Sequence, residues 1–388
     1  MSDKTLKIFP KLPFIYELKT EPHNDLGIPD HLPFTLTSDD KYDLIKQDYN
    51  EQVNEALIKG YKISSILGGN STDDEIGNGY TESILDFVKI NLPLPWKGLK
   101  VLDIGCGTGF LLHKLSEFGF LVNGIEPGGQ AKIGFQKYKI PIVNDFFPLE
   151  NMENDYDLVI SILVLEHIMD PESFIAQIKK ILKNSGKVIL GVPNEEPYIS
   201  SGDISTLFHE HWNYFTPDSF FNFLHYNGAE NIIISKSSYG GLLYGMFNFS
   251  SNPDQNTVKR VLTTESSIHG YVQKIEQCSE KFRIFFEKYS DLSIGIYIPG
   301  RIVNFLISEN INISNLRFFD DDQNSFEKFY PGINIPVENF NDMVNKPTDI
   351  ILIMSSFFGE KIRDKILANT SLEHEQIHLW DDFFNYLF

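Results

Sequence analysis

The sequence has 388 residues, 42% hydrophobic and 22% charged, which is ordinary for a globular protein and long enough for two or three domains. A formal net charge of -20 excludes a broad nucleic-acid surface, because phosphate binding rests on clustered Lys and Arg. Two cysteines, Cys106 and Cys278, exclude a disulfide framework or a cysteine-rich zinc site, and no apolar run is long enough to span a bilayer, so a cytoplasmic location is expected.

The N-terminus, MSDKTLKIFPKLPF, lacks a signal-peptide core, and the Pro- and charge-rich start of the chain has no clear periodicity. An arm or small subdomain is expected there. Apolar residues then recur at helical spacing from Tyr42 to Leu57, a Gly-rich break (GGNSTDDEIGNG) follows, and Tyr80 to Ile90 reads as a second helix. From Lys100 strands and helices alternate: LKVLDI, LVNGIE and DLVISIL are strands, and FLLHKLSEF lies on a helix after the first of them. ESFIAQIKKILKN is a helix ended by Gly186, and KVILGV is a further strand apolar enough for a buried parallel sheet. PDSFFNFLHYNG is a helix with Pro at its start and Gly at its end, and NIIISKS and LLYGMFNF close the region as paired strands.

A long helix is expected from Thr257 to Tyr289, with Ile268, Tyr271, Val272, Ile275 and Phe282 on one face. The βα rhythm restarts in SIGIYIP, RIVNFLISEN, LRFFDDD, DIILIMS, EKIRDKIL and QIHLW. The fold class is therefore α/β: an N-terminal arm (1–75), a Rossmann-like domain (76–255), a linking helix (256–290) and a second, smaller Rossmann-like domain (291–388).

Asp103-Ile104-Gly105-Cys106-Gly107-Thr108-Gly109 sits between a strand and a helix, where glycines let the backbone turn tightly and approach a ligand. Unpaired N–H groups at the following helix start can receive a ligand carboxylate, and Asp103 offers acceptor oxygens to an ammonium group. Glu126 stands at the end of the next strand, where an acidic residue can accept both hydroxyls of a ribose. Asp145 after the following strand can accept from an adenine amino group, and Phe146 can pack against the ring. Cys106, inside the loop, reads as a small filler.

VLDIGCGTG at Val101 to Gly109, with the acidic strand end and the downstream Asp-Phe in order, resembles the class I S-adenosylmethionine (SAM)-dependent methyltransferases over roughly Tyr80 to Phe249. The resemblance implies SAM as cofactor, held by Asp103, Gly105, Gly107, Gly109, Glu126, Asp145 and Phe146. SILVLEHIMDP, from Ser161, resembles the segment bordering the methionine end of SAM, which adds Leu163. Glu166 and His167 within it are candidates for chemistry, with capping and bracing of the next helix as the plainer reading.

Methyl transfer needs an aligned acceptor and, for a C–H or O–H acceptor, a base. Candidates lie in Phe208-His209-Glu210-His211-Trp212-Asn213-Tyr214-Phe215, which also reads as a polar loop capping the next helix. Trp212, Tyr214 and Phe215 read as packing residues.

The order of segments resembles the sugar C-methyltransferases, which act on nucleotide-linked 4-keto-deoxysugars and carry a Tyr-x-Glu-His element here. The resemblance implies His211 as base and Glu210 as its partner, with Phe208 in place of the tyrosine, and Tyr61 in GYKISS loosely resembles another active-site tyrosine of that family. IGIYIPGRIVNFL, FFDDD, FYPGINIPV and DIILIMSSFFGEKI resemble the family's appended Rossmann-like domain, which helps bind the nucleotide-sugar, with Tyr297 and Asn304 at matching spacing. The family's cysteine-rich zinc module has no counterpart before Cys106, so a metal-free arm is expected. Neither Asp73-Asp74-Glu75 nor Asp320-Asp321-Asp322 has calcium-loop spacing, and no metal site is read. Asp320 is placed to touch a ribose hydroxyl.

The expected function is SAM-dependent C-methylation of a nucleotide-linked keto-deoxysugar through an enolate. The alternatives are O- or N-methylation of a glycan or other small metabolite, and a catalytically silent SAM-binding protein. The expected partner is a small-molecule acceptor, with no nucleic acid and no membrane. The five arginines all lie from Arg260 onward and assign no diphosphate clamp by themselves.

Overall fold

The computed structural model describes residues 4–14, 18–20, 27–63, 75–152, 155–249, 267–355 and 358–384, with side chains described throughout except at 61–63, 75–76 and 267–269. The chain opens with β1 (Lys4–Pro13), β2 (His31–Asp39), β3 (Leu44–Gln47), α1 (Glu51–Ile63) and α2 (Glu75–Asn91). Strand–helix alternation follows in β4 (Lys100–Ile104), α3 (Phe110–Glu117), β5 (Leu121–Ile125), α4 (Gln130–Tyr138), β6 (Ile142–Val143), β7 (Tyr156–Ile162), α5 (Pro171–Ile181) and β8 (Leu182–Pro193). Next come α6 (Glu196–Ser201), β9 (Asn213–Tyr214), α7 (Pro217–Tyr226), β10 (Ala229–Lys236), β11 (Leu242–Phe249) and α8 (Ser267–Lys288). The last part holds β12 (Ile294–Tyr297), α9 (Val303–Ser308), β13 (Leu316–Phe319), β14 (Val337–Glu338), α10 (Phe340–Asn345), β15 (Ile350–Ile353), α11 (Gly359–Asn369) and β16 (Ile377–Leu379).

Three sheets result. The central one has seven strands in the order β10-β11-β8-β7-β4-β5-β6, parallel from β8 to β6, with β11 and β10 added antiparallel. Its inner strands are apolar on both faces, as a sheet covered by helices on both sides requires. Leu102, Val159 and Leu190 point into one core with α5 and α7, while Val101, Leu158, Ile160 and Ile189 point into the other with α2 and α3. Helix α7 starts as its sequence predicts: Thr216 and Ser219 form a reciprocal cap ahead of Pro217. The C-terminal sheet is wholly parallel, β14-β13-β12-β15-β16, and is the second, smaller Rossmann-like unit.

The N-terminal sheet, β1-β2-β3-β9, is antiparallel and takes its last strand from the middle of the chain. The expected arm is thus a sheet. Its alternation is obscured in β1 because the pairing with β2 slips between Thr5 and Lys7 and again between Phe9 and Leu12. Phe9, Leu12, Phe34 and Leu36 share one core with Tyr271 and Ile275 of α8 and with Ile294 and Ile296 of the C-terminal sheet.

Two expected elements need correction. The helix read from Tyr42 to Leu57 is a strand, β3, followed by a helix that begins only at Glu51; Leu44 and Ile45 are buried by pairing with β2 and β9, which overrides helical spacing in so short a run. The helix after Pro171 ends at Ile181 rather than Gly186, because Leu182 already pairs with Tyr156 and the chain passes straight into β8. Asp73, Asp74 and the side chains of Glu75 and Ile268 lie outside the described residues, as does the side chain of Tyr61 on the last turn of α1. Among the described residues no helix is long and apolar enough to cross a membrane.

Candidate active site

The C-terminal ends of β4 and β5 form the first half of the site. Gly105, Gly107 and Gly109 all take positive φ (77°, 53° and 70°), a region side chains disfavour. At Gly105 a Cβ would also stand 2.4 Å from Val164 Cγ2. Glu126, 8% exposed, follows β5 and accepts the N–H of Gly107 through Oε2 (3.0 Å) and that of Gly128 through Oε1 (2.6 Å). Each oxygen retains a second acceptor direction. Asp103 is 3% exposed, and burial, with the Glu126 charge adding to it, holds its carboxyl well above the usual range. Two buried carboxylates beside a loop of backbone donors fit a ligand that carries both positive charge and acceptor groups. That is the chemistry of a sulfonium amino acid joined to a nucleoside.

Asn144, at the end of β6, was not assigned a role from sequence; its side-chain amide donates to the carbonyls of Glu126, Pro127 and Gly128 at 2.9–3.0 Å and ties the two strand ends together. Asp145 turns its carboxylate onto the N–H of Phe146, and the Phe146 ring is 69% exposed beside it. Leu163 takes a left-handed φ of 58° with its N–H donating to Gly191. Cys106 is 3% exposed and lies against Gly124, with its thiol pushed up by burial, as a space-filling residue would be.

From Val164, packed under Gly105, the chain turns through Leu165–His167. Glu166 and His167 do not cap α5; Asp170 does, accepting the N–H of Ser173 at 3.0 Å. They brace the loop that precedes β9 instead. His167 Nδ1 lies 2.9 Å from the carbonyl of Glu210, Trp212 donates its N–H to the carbonyl of Glu166 at 2.7 Å, and Asn213 donates to the carbonyls of Leu165 and Ile168.

The same loop is held from every side. Gln47 of β3 donates to the carbonyl of His209, Asn304 of α9 donates to those of Ile204 and Leu207, and the Tyr271 hydroxyl of α8 donates to that of Asp203. The N-terminal sheet, the turn after β7 and helices α8 and α9 therefore fix the segment that carries His211. The segment is not the polar helix-capping loop that was the plainer expectation: His209, Glu210, His211, Trp212, Tyr214 and Phe215 are all buried.

His211 faces His167, with ring centroids 4.8 Å apart, and Phe208 at 5.7 Å. Burial, helped by His167, keeps its imidazole well below its usual pKa, so it is neutral near pH 7. Burial also lowers His167 to about 4. Among the described residues no hydrogen bond joins the Glu210 carboxylate to His211, so the expected pairing is not seen; Glu210 Oε2 has no partner and burial lifts its pKa to about 7. His209 turns the other way, between Phe14 and Phe34 of the N-terminal sheet.

Two further glutamates are buried: Glu166, a candidate for chemistry in the sequence, and Glu195, which carries no such reading there. Glu166 is 1% exposed and raised to about 8 by burial and the charge of Glu195. Glu195, 2% exposed and likewise raised to about 8 by burial, accepts the Thr206 hydroxyl at 2.5 Å. The only sequence signal for Glu195 is its place just beyond β8, at the same sheet edge as Glu126.

Phe208 and Thr206 open onto a cavity of about 300 Å³, completed by Tyr198, Ser205, Gly300, Arg301 and Tyr330. Arg301 lies over the rings of Tyr198 and Trp380 at 5.8 and 5.4 Å. On the far side of the C-terminal sheet the Tyr297 hydroxyl donates to Asp321, which also pairs with Lys365, while Asp320 accepts the N–H groups of Asp321 and Asp322.

Residues 78–233 match the family model of a methyltransferase domain. Over 107 residues the chain is 33% identical to a ubiquinone biosynthesis O-methyltransferase of Bradyrhizobium diazoefficiens, covering 25% of this chain and 41% of that protein. The same enzyme of Pseudomonas aeruginosa is 32% identical over 108 residues, covering 26% of this chain and 47% of that protein. The chain thus spans less than half the length of these curated relatives. Among solved structures, one from Pyrococcus horikoshii aligns with 49% of this chain and 98% of its own at 16% identity and a TM-score of 0.41. A Listeria monocytogenes protein described as a putative SAM-dependent methyltransferase aligns with 45% of this chain and 99% of its own, at 16% identity and a TM-score of 0.37. With the seven-stranded order, the glycine loop and the family match in agreement, residues 78–233 form a class I SAM-dependent methyltransferase domain.

Proposed function

We propose that the whole chain is a SAM-dependent methyltransferase whose small-molecule acceptor enters the cavity between the central and C-terminal sheets. One observation carries this: the glycine loop, the buried acid–base groups and the cavity are consecutive. Val164 packs under Gly105, Glu166 and His167 follow it, His167 faces His211, and His211 touches Phe208 on the cavity wall.

In this reading Asp103 and Glu126 hold the ammonium and ribose ends of SAM, the loop N–H groups take its carboxylate, Asp145 and Phe146 receive the adenine, and Leu163 borders the methionine end. When bound, the cofactor supplies a methyl group whose bond to a positively charged sulfur breaks as the acceptor attacks, the electron pair leaving with sulfur. His211, neutral and water-shielded, accepts the proton that the acceptor gives up. The loop's fixation by β3, the turn after β7, α8 and α9 keeps that imidazole oriented.

The finer reading is C-methylation of a nucleotide-linked keto-deoxysugar, His211 removing the proton beside the ketone. Its supports are the Glu210–His211 pair in sequence and Arg301 at the cavity, a guanidinium suited to phosphate oxygens. O-methylation is the second reading, favoured by the named activity of the curated relatives and by the absence of a hydroxyl at Phe208. A screen of nucleotide-linked keto-sugars with SAM, read by mass and then by NMR, tests both. C-methylation predicts a carbon-bound methyl and exchange of deuterium at the carbon beside the ketone; an O-methyl product without exchange removes it.

A further inference from the structure

We propose that Glu166, His167 and His211 bind a divalent transition-metal ion. The inference rests on reading this cluster as the acceptor side of the methyltransferase, and it alters the part His211 plays there.

One ligand atom from each of the three residues lies within 4.8 Å of the others. Atoms sharing one Zn²⁺-like ion at roughly 2.0–2.2 Å stand about 3–3.5 Å apart, so the widest separation in the cluster has to shorten by about 1.3–1.8 Å. Glu166 is the strongest indication. It is 1% exposed, yet neither carboxylate oxygen has a hydrogen-bond partner. Among the described residues no Lys or Arg pairs with it; its nearest cationic candidate is His167 Nε2 at 3.8 Å. A buried carboxylate left without donors is costly, and a cation is the group that would satisfy both oxygens.

The two imidazoles are prepared in the same sense. His167 donates Nδ1–H to the Glu210 carbonyl at 2.9 Å, which fixes the tautomer and leaves Nε2 with a lone pair toward Glu166. Metal-bound histidines characteristically make this outer hydrogen bond. His211 Nδ1 is buried and unpaired. The turn bearing Glu166 and the loop bearing His211 are joined by the Trp212 N–H to the Glu166 carbonyl, so the donors come from two mutually braced segments.

Two imidazoles and one carboxylate suit Zn²⁺, Mn²⁺, Fe²⁺ or Co²⁺ better than Mg²⁺ or Ca²⁺, and they leave coordination positions open. An ion here lies between the glycine loop and the cavity. It would bind the acceptor's carbonyl or hydroxyl oxygen as a Lewis acid and make the acceptor's proton acidic enough to pass to water, with His211 a ligand rather than the proton acceptor.

The test uses the full chain without a histidine tag, stripped with a chelator, desalted and titrated with Co²⁺, while SAM is titrated into the same samples. One equivalent of Co²⁺ should bind with visible d–d absorption that excess Zn²⁺ abolishes. Glu166→Gln and His211→Ala should each weaken Co²⁺ by more than about 100-fold with SAM affinity within about threefold. No stoichiometric Co²⁺ uptake by the unmodified chain overturns the inference without help from any variant, as does a Co²⁺ affinity in both variants equal to that of the unmodified chain. SAM binding without Co²⁺ binding removes the metal site and leaves the methyltransferase reading; Co²⁺ binding without SAM binding does the reverse.

Discussion

After β4 the chain turns through Gly105, Gly107 and Gly109 at positive φ, and the acid beyond the next strand, Glu126, lends its oxygens only to backbone N–H groups. After β12 the corresponding turn runs through Ile298, a β-branched residue at φ 60°, then Pro299 and Gly300. Beyond β13, Asp320 accepts only the N–H groups of Asp321 and Asp322, but Asp321 takes the Tyr297 hydroxyl at 2.8 Å and the Lys365 ammonium at 2.8 Å. Both sheets offer the strand-end crevice where α/β folds bind ligands. Among the described residues no Lys or Arg pairs with Asp103 or Glu126, whereas Asp321 holds Lys365, and the first turn sets glycine at every second position where the second sets Ile298 and Pro299. Topology supplies the place, and local chemistry decides whether a charged nucleoside can occupy it.

The sharpest way to break this contrast is to put a methyl group in each turn. Gly105→Ala should weaken SAM binding by more than about 100-fold, because it adds a Cβ both at unfavourable φ and against Val164. Gly300→Ala should leave SAM binding unchanged; a matching loss at Gly300 would mean that the second turn binds the cofactor. Next in size, His211→Ala should lower turnover by roughly 10²–10⁴-fold with SAM affinity held within about threefold. Unchanged turnover would take His211 out of the chemistry. A smaller effect is expected at the cavity, where Arg301→Ala should raise the acceptor KM about tenfold and leave SAM affinity alone. A fall in kcat at constant KM would contradict a binding role for that guanidinium.

The smallest effect concerns stability. Glu195 ionises near pH 8 in the folded chain but near pH 4.5 when unfolded, so the folded state keeps a proton that the unfolded chain loses. Its favourable contribution is complete below pH 4.5 and is lost as pH rises through about 8. Glu195→Gln removes that loss, so the variant should match the parent's apparent Tm at pH 5 and exceed it by about 2–4 °C at pH 8.5. An equal offset at both pH values would mean that Glu195 is ionised throughout.

The α/β class, the strand-end glycines and Glu126 were legible because each is a local signal: apolar runs, residues that tolerate positive φ, and an acid where a strand stops. The N-terminal sheet was not, since Pro10, Pro13 and the slipped pairing of β1 erase the alternation that marks a strand. The acceptor side was legible only in part. His211 stood out in its His-Glu-His run, but the groups around it come from distant segments. His167 faces it from the turn after β7, and Glu195 sits beyond β8. Glu210, adjacent in sequence, makes no hydrogen bond to it among the described residues. Burial, which sets the protonation of all four, has no local signature in residues this polar.

Calorimetric titration of SAM into the purified chain and into Glu126→Ala bears most directly on the idea that the β4–β5 crevice grips a cationic nucleoside. Saturable one-to-one binding by the parent, weakened at least tenfold or abolished in the variant, is the expected result. Absence of binding by the parent, or equal affinity in both proteins, would contradict it.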